Sequence, residues 1–283
     1  MIDLATSTYY YKPKISRLDR EKEDADIADK IEYLQVHFSC WGYRTITAQL
    51  KTQYQMIINK KKVLRIMRKY HLFKRQKRRF CITTDSDHNY RIYPNLIKGL
   101  KITALNQLWA ADITYIRIET GFVFLACILD VYSRMVVGYA LAKKISHELT
   151  CAALQHALEE RKPGSGLIHH SDRGVQYACT EYIKLLKDYG DIKISMSAKG
   201  NPYHNAFAES FFKTLKQEEV YMWDYQTFTD VIDRIPQFID EVYNKKRVHS
   251  SLKYLTPFQF ECMIQQGKIK DQVTLISDCK QSK

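Results

Sequence analysis

Leu108-Trp-Ala-Ala-Asp-Ile-Thr-Tyr-Ile-Arg-Ile118, then Glu119-Thr-Gly121, then Phe122-Val-Phe-Leu-Ala-Cys-Ile-Leu-Asp-Val131, is the stretch whose reading decides the fold. Two runs rich in apolar, β-branched and aromatic residues, joined by a short glycine-containing turn, read as an antiparallel hairpin. Met135–Leu141 supplies a third strand. The grammar then changes. Ser146–Glu160 reads as a helix, Pro163-Gly-Ser-Gly166 breaks it, and Leu167–His170 is a short strand. Thr180–Tyr189 is a helix, Ile192–Met196 a strand and Asn205–Val220 a long helix. A meander followed by alternating strands and helices predicts an α/β fold, a mixed sheet flanked by helices.

Three carboxylates stand in this region where an acid is locally expensive. Asp112 interrupts the first strand, Asp172 follows the fourth in His169-His-Ser-Asp-Arg-Gly174, and Glu209 lies among Ala and Phe on the last helix. Converging, they would repel one another unless divalent cations neutralised them, an arrangement suited to in-line chemistry on phosphodiesters. The layout puts Asp112 within a strand, Asp172 just past one and Glu209 on a packed helix, meeting at one sheet edge. Asp130, ending a strand, reads instead as support for the fold. Adjacent strand residues point to opposite faces, so at most one of His169 and His170 faces the site. Arg173 and Gly174 read as turn-shaping. Arg247 and His249 fit packing or DNA contact equally.

The N-terminal third is different. Residues 1–100 hold 21 Lys/Arg against 10 Asp/Glu, whereas residues 101–283 hold 23 against 21. A field so placed predicts a polyanionic partner. Glu21–Phe38, Thr45–Tyr54 and Lys60–Tyr70 read as helices, the last capped by Asn59. This is a helix-turn-helix-like pattern. Residues 60–79 carry eleven Lys/Arg and no acid. Lys60, Lys61, Lys62, Arg65, Arg68, Lys69, Arg75, Arg78 and Arg79 are the candidate DNA contacts there, unopposed charges that call for a phosphate backbone. Seven scattered cysteines form no C-x-x-C pair, which suits free thiols in a reducing compartment. No apolar run reaches about 18 residues, so no membrane span is expected. The predicted organisation is a lead segment (1–19), a helical DNA-binding domain (20–79), a linker (80–104), a catalytic core (105–220) and a helical C-terminal extension (221–283).

These frames resemble a known family. Trp109-x-x-Asp-Ile-Thr-Tyr115, Leu129-Asp-Val-Tyr-Ser-Arg134, His170-Ser-Asp-Arg-Gly-x-Gln-Tyr177 and Ser195-Met-Ser-x-Lys-Gly-Asn201 carry the resemblance through the core. Ala208-Glu-Ser-Phe-Phe-x-Thr-Leu-Lys216, Tyr243-Asn-x-x-Arg-x-His249 and Leu255-Thr-Pro257 continue it. Trp41-Gly-Tyr-Arg-x-Ile46 and Val63-x-Arg-x-Met-Arg68 match the preceding helical domain. Together they resemble DDE-type bacterial insertion-sequence transposases, the second-frame product of two-frame elements, with a ribonuclease H-like, retroviral-integrase-like core.

The resemblance implies that Asp112, Asp172 and Glu209 are the catalytic residues and hold two Mg²⁺ ions, with Mn²⁺ able to substitute. It implies a basic residue at Lys216. Helix geometry puts positions 209, 213 and 216 on one face, so Lys213 and Lys216 are candidates to hold a DNA phosphate beside the metal. Also implied are cleavage and strand transfer at terminal inverted repeats, insertion into target DNA, and a homo-oligomer that pairs two ends. The family further suggests a fusion with an upstream-frame DNA-binding product, and a cytoplasmic bacterial setting associated with the nucleoid.

Overall fold

The structure is a computed structural model, and it describes residues 16–38, 41–73, 90–197, 206–269 and 273–276. The chain divides into two compact units, Met1–Arg75 and Gln76–Lys283.

The first unit contains α1 (Arg17–His37), α2 (Tyr43–Tyr54) and α3 (Lys60–Lys69). Ser16 caps α1 by accepting the Asp19 N–H, so the helix begins earlier than its apolar periodicity suggests. Asn59 caps α3, its Oδ1 accepting the Lys61 N–H at 2.8 Å. Ile27, Ile31 and Leu34 of α1, Ile46 and Leu50 of α2, and Val63, Ile66 and Met67 of α3 form one core with Trp41. The expectation of unopposed charge on α3 is corrected here. Glu23 and Asp24 of α1 reach across to Lys62, Arg65 and Lys69.

In the second unit, β2 (Leu108–Ile118), β3 (Gly121–Asp130) and β4 (Val136–Ala142) form the expected meander, and β5 (Ile168–Ser171) and β6 (Lys193–Met196) join it in parallel. The sheet order is β4-β3-β2-β5-β6. Helices α4 (His147–Arg161), α5 (Val175–Ala178) and α6 (Thr180–Tyr189) accompany one face, where Trp109, Ala111 and Ile128 pack with Leu154, Tyr177 and Tyr182. The other face packs Ile116, Leu125 and Cys127 against Ala208, Phe211, Phe212 and Leu215 of α7 (Ala206–Leu215). That cluster also takes in Val231 and Ile235 of α8 (Phe228–Gln237).

Three features differ from the expectation. The helix of Glu209 is α-helical only to Leu215, and a wider π turn follows over Lys216–Val220. At ordinary pitch Val220 would point about 140° away from Leu215; the wider turn brings it into the same core. A second π turn, Phe238–Tyr243, follows Pro236, which cannot donate the usual intrahelical bond. Finally, the C-terminal segment is not wholly helical. After α9 (Pro257–Gln265), β7 (Thr274–Leu275) pairs antiparallel with β1 (Lys101–Ile102), inside the stretch read as linker. Ile97 and Ile102 from that stretch share a core with Leu252, Phe260 and Ile276. No described helix is long and apolar enough to cross a membrane.

Candidate active site

Strand register brings the two aspartates together. β2 and β5 run parallel with Leu108 opposite Ile168 and Ala110 opposite His170. Continuing that register by two residues sets Asp112 abreast of Asp172, where neighbouring strands lie about 4.8 Å apart. Pairing stops just before this point, so the carboxylates occupy the place where two central strands part. The expected location at a sheet edge is therefore corrected: β2 is the middle strand. Glu209 comes from the first turn of α7, which packs across β2 and β3 through Ala208, Phe211 and Phe212.

The electrostatics agree with this convergence. Burial first, then the charge of Asp172 and that of Glu209, push the Asp112 carboxyl well above the ordinary carboxylate range. The Ile113 N–H, donating to Asp112 Oδ1 at 2.9 Å, and the charge of Lys216 oppose the shift. Burial raises Glu209 as well. It also raises the thiol of Cys127, which stands opposite Asp112 on β3. Asp172 is held differently: its Oδ1 accepts the Gly174 N–H at 2.8 Å. A Cβ on Gly174 would meet that oxygen and Gln176 Oε1 at 3.0 Å, so a larger residue there would press on the Asp172 carboxylate.

An all-oxygen, under-compensated donor set is the chemistry a hard divalent cation satisfies. Tyr177 adds to the fit. Its hydroxyl is buried and finds no hydrogen-bond partner among the described residues, while Asp112 and Asp172 help burial and Tyr182 to raise its pKa. A buried phenol left without a hydrogen-bond partner among the described residues, within electrostatic reach of two carboxylates, is a group that water or a hydrated ion would satisfy. Among the described residues no group of three or more His, Cys, Asp or Glu side chains is placed to hold a metal ion as it stands.

Lys213 is exposed on α7. Lys216 begins the π turn, and its Nζ lies 4.3 Å from the centre of the Tyr115 ring. Asp130 is wholly buried and accepts from the backbone N–H groups of Asn106 and Tyr132, a role in the fold. His169 Nε2 bonds the Tyr182 hydroxyl and His170 Nδ1 bonds the Ser195 hydroxyl, on opposite faces of β5. Arg173 donates to the Ser197 carbonyl. Arg247 grips Glu218 through both Nε and Nη2, and His249 stacks edge-on against Tyr243, so this pair packs. Of the basic candidates, Arg75, Arg78 and Arg79 lie outside the described residues. Tyr177 and Tyr115 are contributors that sequence reasoning did not single out. The signal for Tyr177 was its place at the end of the motif around Asp172.

A mixed sheet with one carboxylate on its middle strand, a second just past the neighbouring parallel strand and a third on a flanking helix is the architecture of DDE-type transposases and integrases. Residues 103–202 and 190–257 match models of the integrase core domain, and residues 21–80 match an HTH-like domain. The chain is 36% identical over 259 residues to the insertion element IS600 uncharacterized 31 kDa protein of Shigella sonnei, covering 91% of this chain and 94% of that one. It is 35% identical over 222 residues to transposase InsF for insertion sequence IS3A of Escherichia coli (strain K12), covering 78% and 76%. It is also similar to the crystal structure of the catalytic core domain of BIV integrase, at 18% identity and TM-score 0.43, covering 58% and 98%. The chain belongs to the insertion-sequence transposases with an integrase-type core.

Proposed function

We propose that this transposase cuts and joins DNA at the terminal inverted repeats of its element, with Asp112, Asp172 and Glu209 as catalytic carboxylates holding two Mg²⁺ ions. Mn²⁺ substitutes, because oxygen donors discriminate weakly between the two. Such ions, when bound, activate an attacking oxygen and stabilise the leaving one during in-line displacement at phosphorus. Asp112, within β2, and Asp172, the residue after β5 whose Oδ1 accepts the Gly174 N–H, provide the fixed part of the site. Glu209 completes it from the exposed side of α7. Lys213, one turn beyond Glu209, binds a phosphate of the DNA, and Lys216 offsets the negative charge around Asp112. Water attacks first and exposes a 3′-hydroxyl, which then attacks a second phosphodiester; no covalent link to the protein forms. Joining two ends requires at least two copies of the chain, and a fusion with an upstream-frame DNA-binding product is the form in which we expect full activity.

The observation that supports this reading is that burial and then the charges of two carboxylates from separated elements, Asp172 and Glu209, all disfavour the ionised form of Asp112. The test is strand transfer on a labelled duplex carrying the flanking inverted repeat, with Mg²⁺ or Mn²⁺, comparing wild type with Glu209→Gln. Joined products in wild type and none in the variant, with DNA binding retained, are expected. A wild-type protein, alone and fused, that binds the duplex but neither cuts nor joins it would overturn the catalytic reading.

A further inference from the structure

The charges of α3 are not equivalent. Its buried side is Val63, Ile66 and Met67. One flank is committed to α1: Lys62 pairs with Glu23, Arg65 holds Asp24 through two bonds of 2.8 Å, and Lys69 lies 3.9 Å from Asp24. Asp24 is 1% exposed, so this flank is a fastening between helices. The opposite flank carries Lys61 and Arg68, both exposed and in no ion pair among the described residues, with half-buried Leu64 between them. At 100° per residue these three fall within about 60° of one another, their mean direction about 100° round the helix from that of Lys62, Arg65 and Lys69. The turn before α3 adds an exposed apolar residue. Gln55 adopts a left-handed backbone (φ 53°) and Met56 and Ile58 tuck against the core, leaving Ile57 96% exposed between them. Spacings of three and four residues join Lys61, Leu64 and Arg68 into one stripe, and Ile57 stands in the chain that leads into it.

An almost fully exposed isoleucine in the turn leading into a helix with two exposed cations outside any ion pair among the described residues does not suit phosphate contact alone. It suits base edges, where Lys and Arg donate to guanine O6 and N7 and apolar groups meet the thymine methyl. The last helix of a helix-turn-helix unit lies in the major groove, and its solvent-facing side chains reach the base edges. We infer that Ile57, Lys61, Leu64 and Arg68 read DNA sequence in the major groove, while Lys62, Arg65 and Lys69 fasten α3 to α1 and carry no sequence preference. This rests on the reading of the chain as a DNA-binding transposase.

The test uses the full chain and a library of random-sequence duplexes, with the enriched motif compared between wild type, Lys61→Gln, Arg68→Gln and Lys62→Gln. Wild type enriches a motif; Lys61→Gln and Arg68→Gln each lose preference at one position and bind the wild-type motif roughly 5- to 150-fold more weakly, the range for one good base contact. Lys62→Gln enriches the wild-type motif unchanged. Wild type that binds duplexes in a salt-dependent manner without enriching any motif overturns the assignment and leaves DNA binding standing. Unchanged motifs in Lys61→Gln and Arg68→Gln overturn it too. Wild type that binds no duplex at low salt overturns the underlying DNA-binding reading as well.

Discussion

Asp112 is opposed in its ionised form by its own enclosure and by two neighbouring carboxylates. Its folded pKa stands above the unfolded value, so the stability tied to it is present at low pH and lost as pH rises through the ordinary aspartate range. Asp112→Asn is therefore expected to raise the unfolding midpoint of the metal-free protein at pH 7, by about 2–4 °C for each kcal/mol relieved. The gain should vanish at and below pH 4, and Mg²⁺ should no longer raise the midpoint. A variant less stable than wild type at pH 7 would contradict the charge crowding. Two histidines act with the opposite sign. Burial lowers His169 to about 4, and burial together with Arg247 and Arg134 lowers His249 to about 3. Each stays neutral in the fold while its unfolded counterpart protonates, so stability falls as pH drops from about 6.5, by roughly 1.4 kcal/mol per pH unit per histidine. Urea unfolding of His249→Gln between pH 7 and 5 should show the shallower slope. At this scale Asp112 and Glu209 are legible in the sequence because each sets a charge among apolar residues, and Asp172 because its frame follows a short strand. Tyr177 and the Lys216–Tyr115 contact are not, since both depend on which elements become neighbours.

Among the elements, the closest approach is between β4 and α4. A Cβ on Gly138 would meet the Ala153 carbonyl oxygen and the Ala157 Cβ at 2.5 Å. Backbone cannot yield as a flexible side chain does, so Gly138→Ala should cost about 1–3 kcal/mol, measured by urea unfolding. An unchanged midpoint would mean the helix stands off the sheet. At its far end α4 offers Arg161, which donates through two bonds to Glu261 and lies 3.8 Å from Asp130. Arg161→Met would leave two carboxylates without their cation, and the expected loss is about 3–5 kcal/mol. Strands are well predicted in this chain because their composition and turn chemistry agree, as in Leu108–Ile118, which is found with its expected bounds. The π turns are not predicted. Residue propensity says nothing about an i+5 bond, which here follows from Val220 joining a core assembled from distant strands and helices. The Asp24–Arg65 fastening escapes for the same reason: charge counted along residues 60–79 alone does not see the acids of α1.

Over the whole molecule, the boundary at Arg75 and Gln76 separates a basic helical unit from a mixed-sheet unit. The expected five-part organisation divides the second unit more finely than its packing does. Ile97, Ile102, Phe260 and Ile276 meet in one cluster although they come from the stretch before the sheet and from the C-terminal segment. Hydrophobic patterning marks such residues as apolar without saying which core they enter. Removing residues 270–283 should therefore destabilise the second unit, by roughly 1.5–3 kcal/mol for Ile276 alone. A truncated chain with an unchanged midpoint would show that β7 adds nothing. The β1–β7 pairing has one more consequence. Lys101 faces Leu275 across it, so the segment ahead of β2 and the segment after α9 run as neighbours. A short peptide bridging these two segments, with the chain reopened at the Glu119–Thr120 hairpin, would therefore give a circular permutant in which every strand keeps its neighbours.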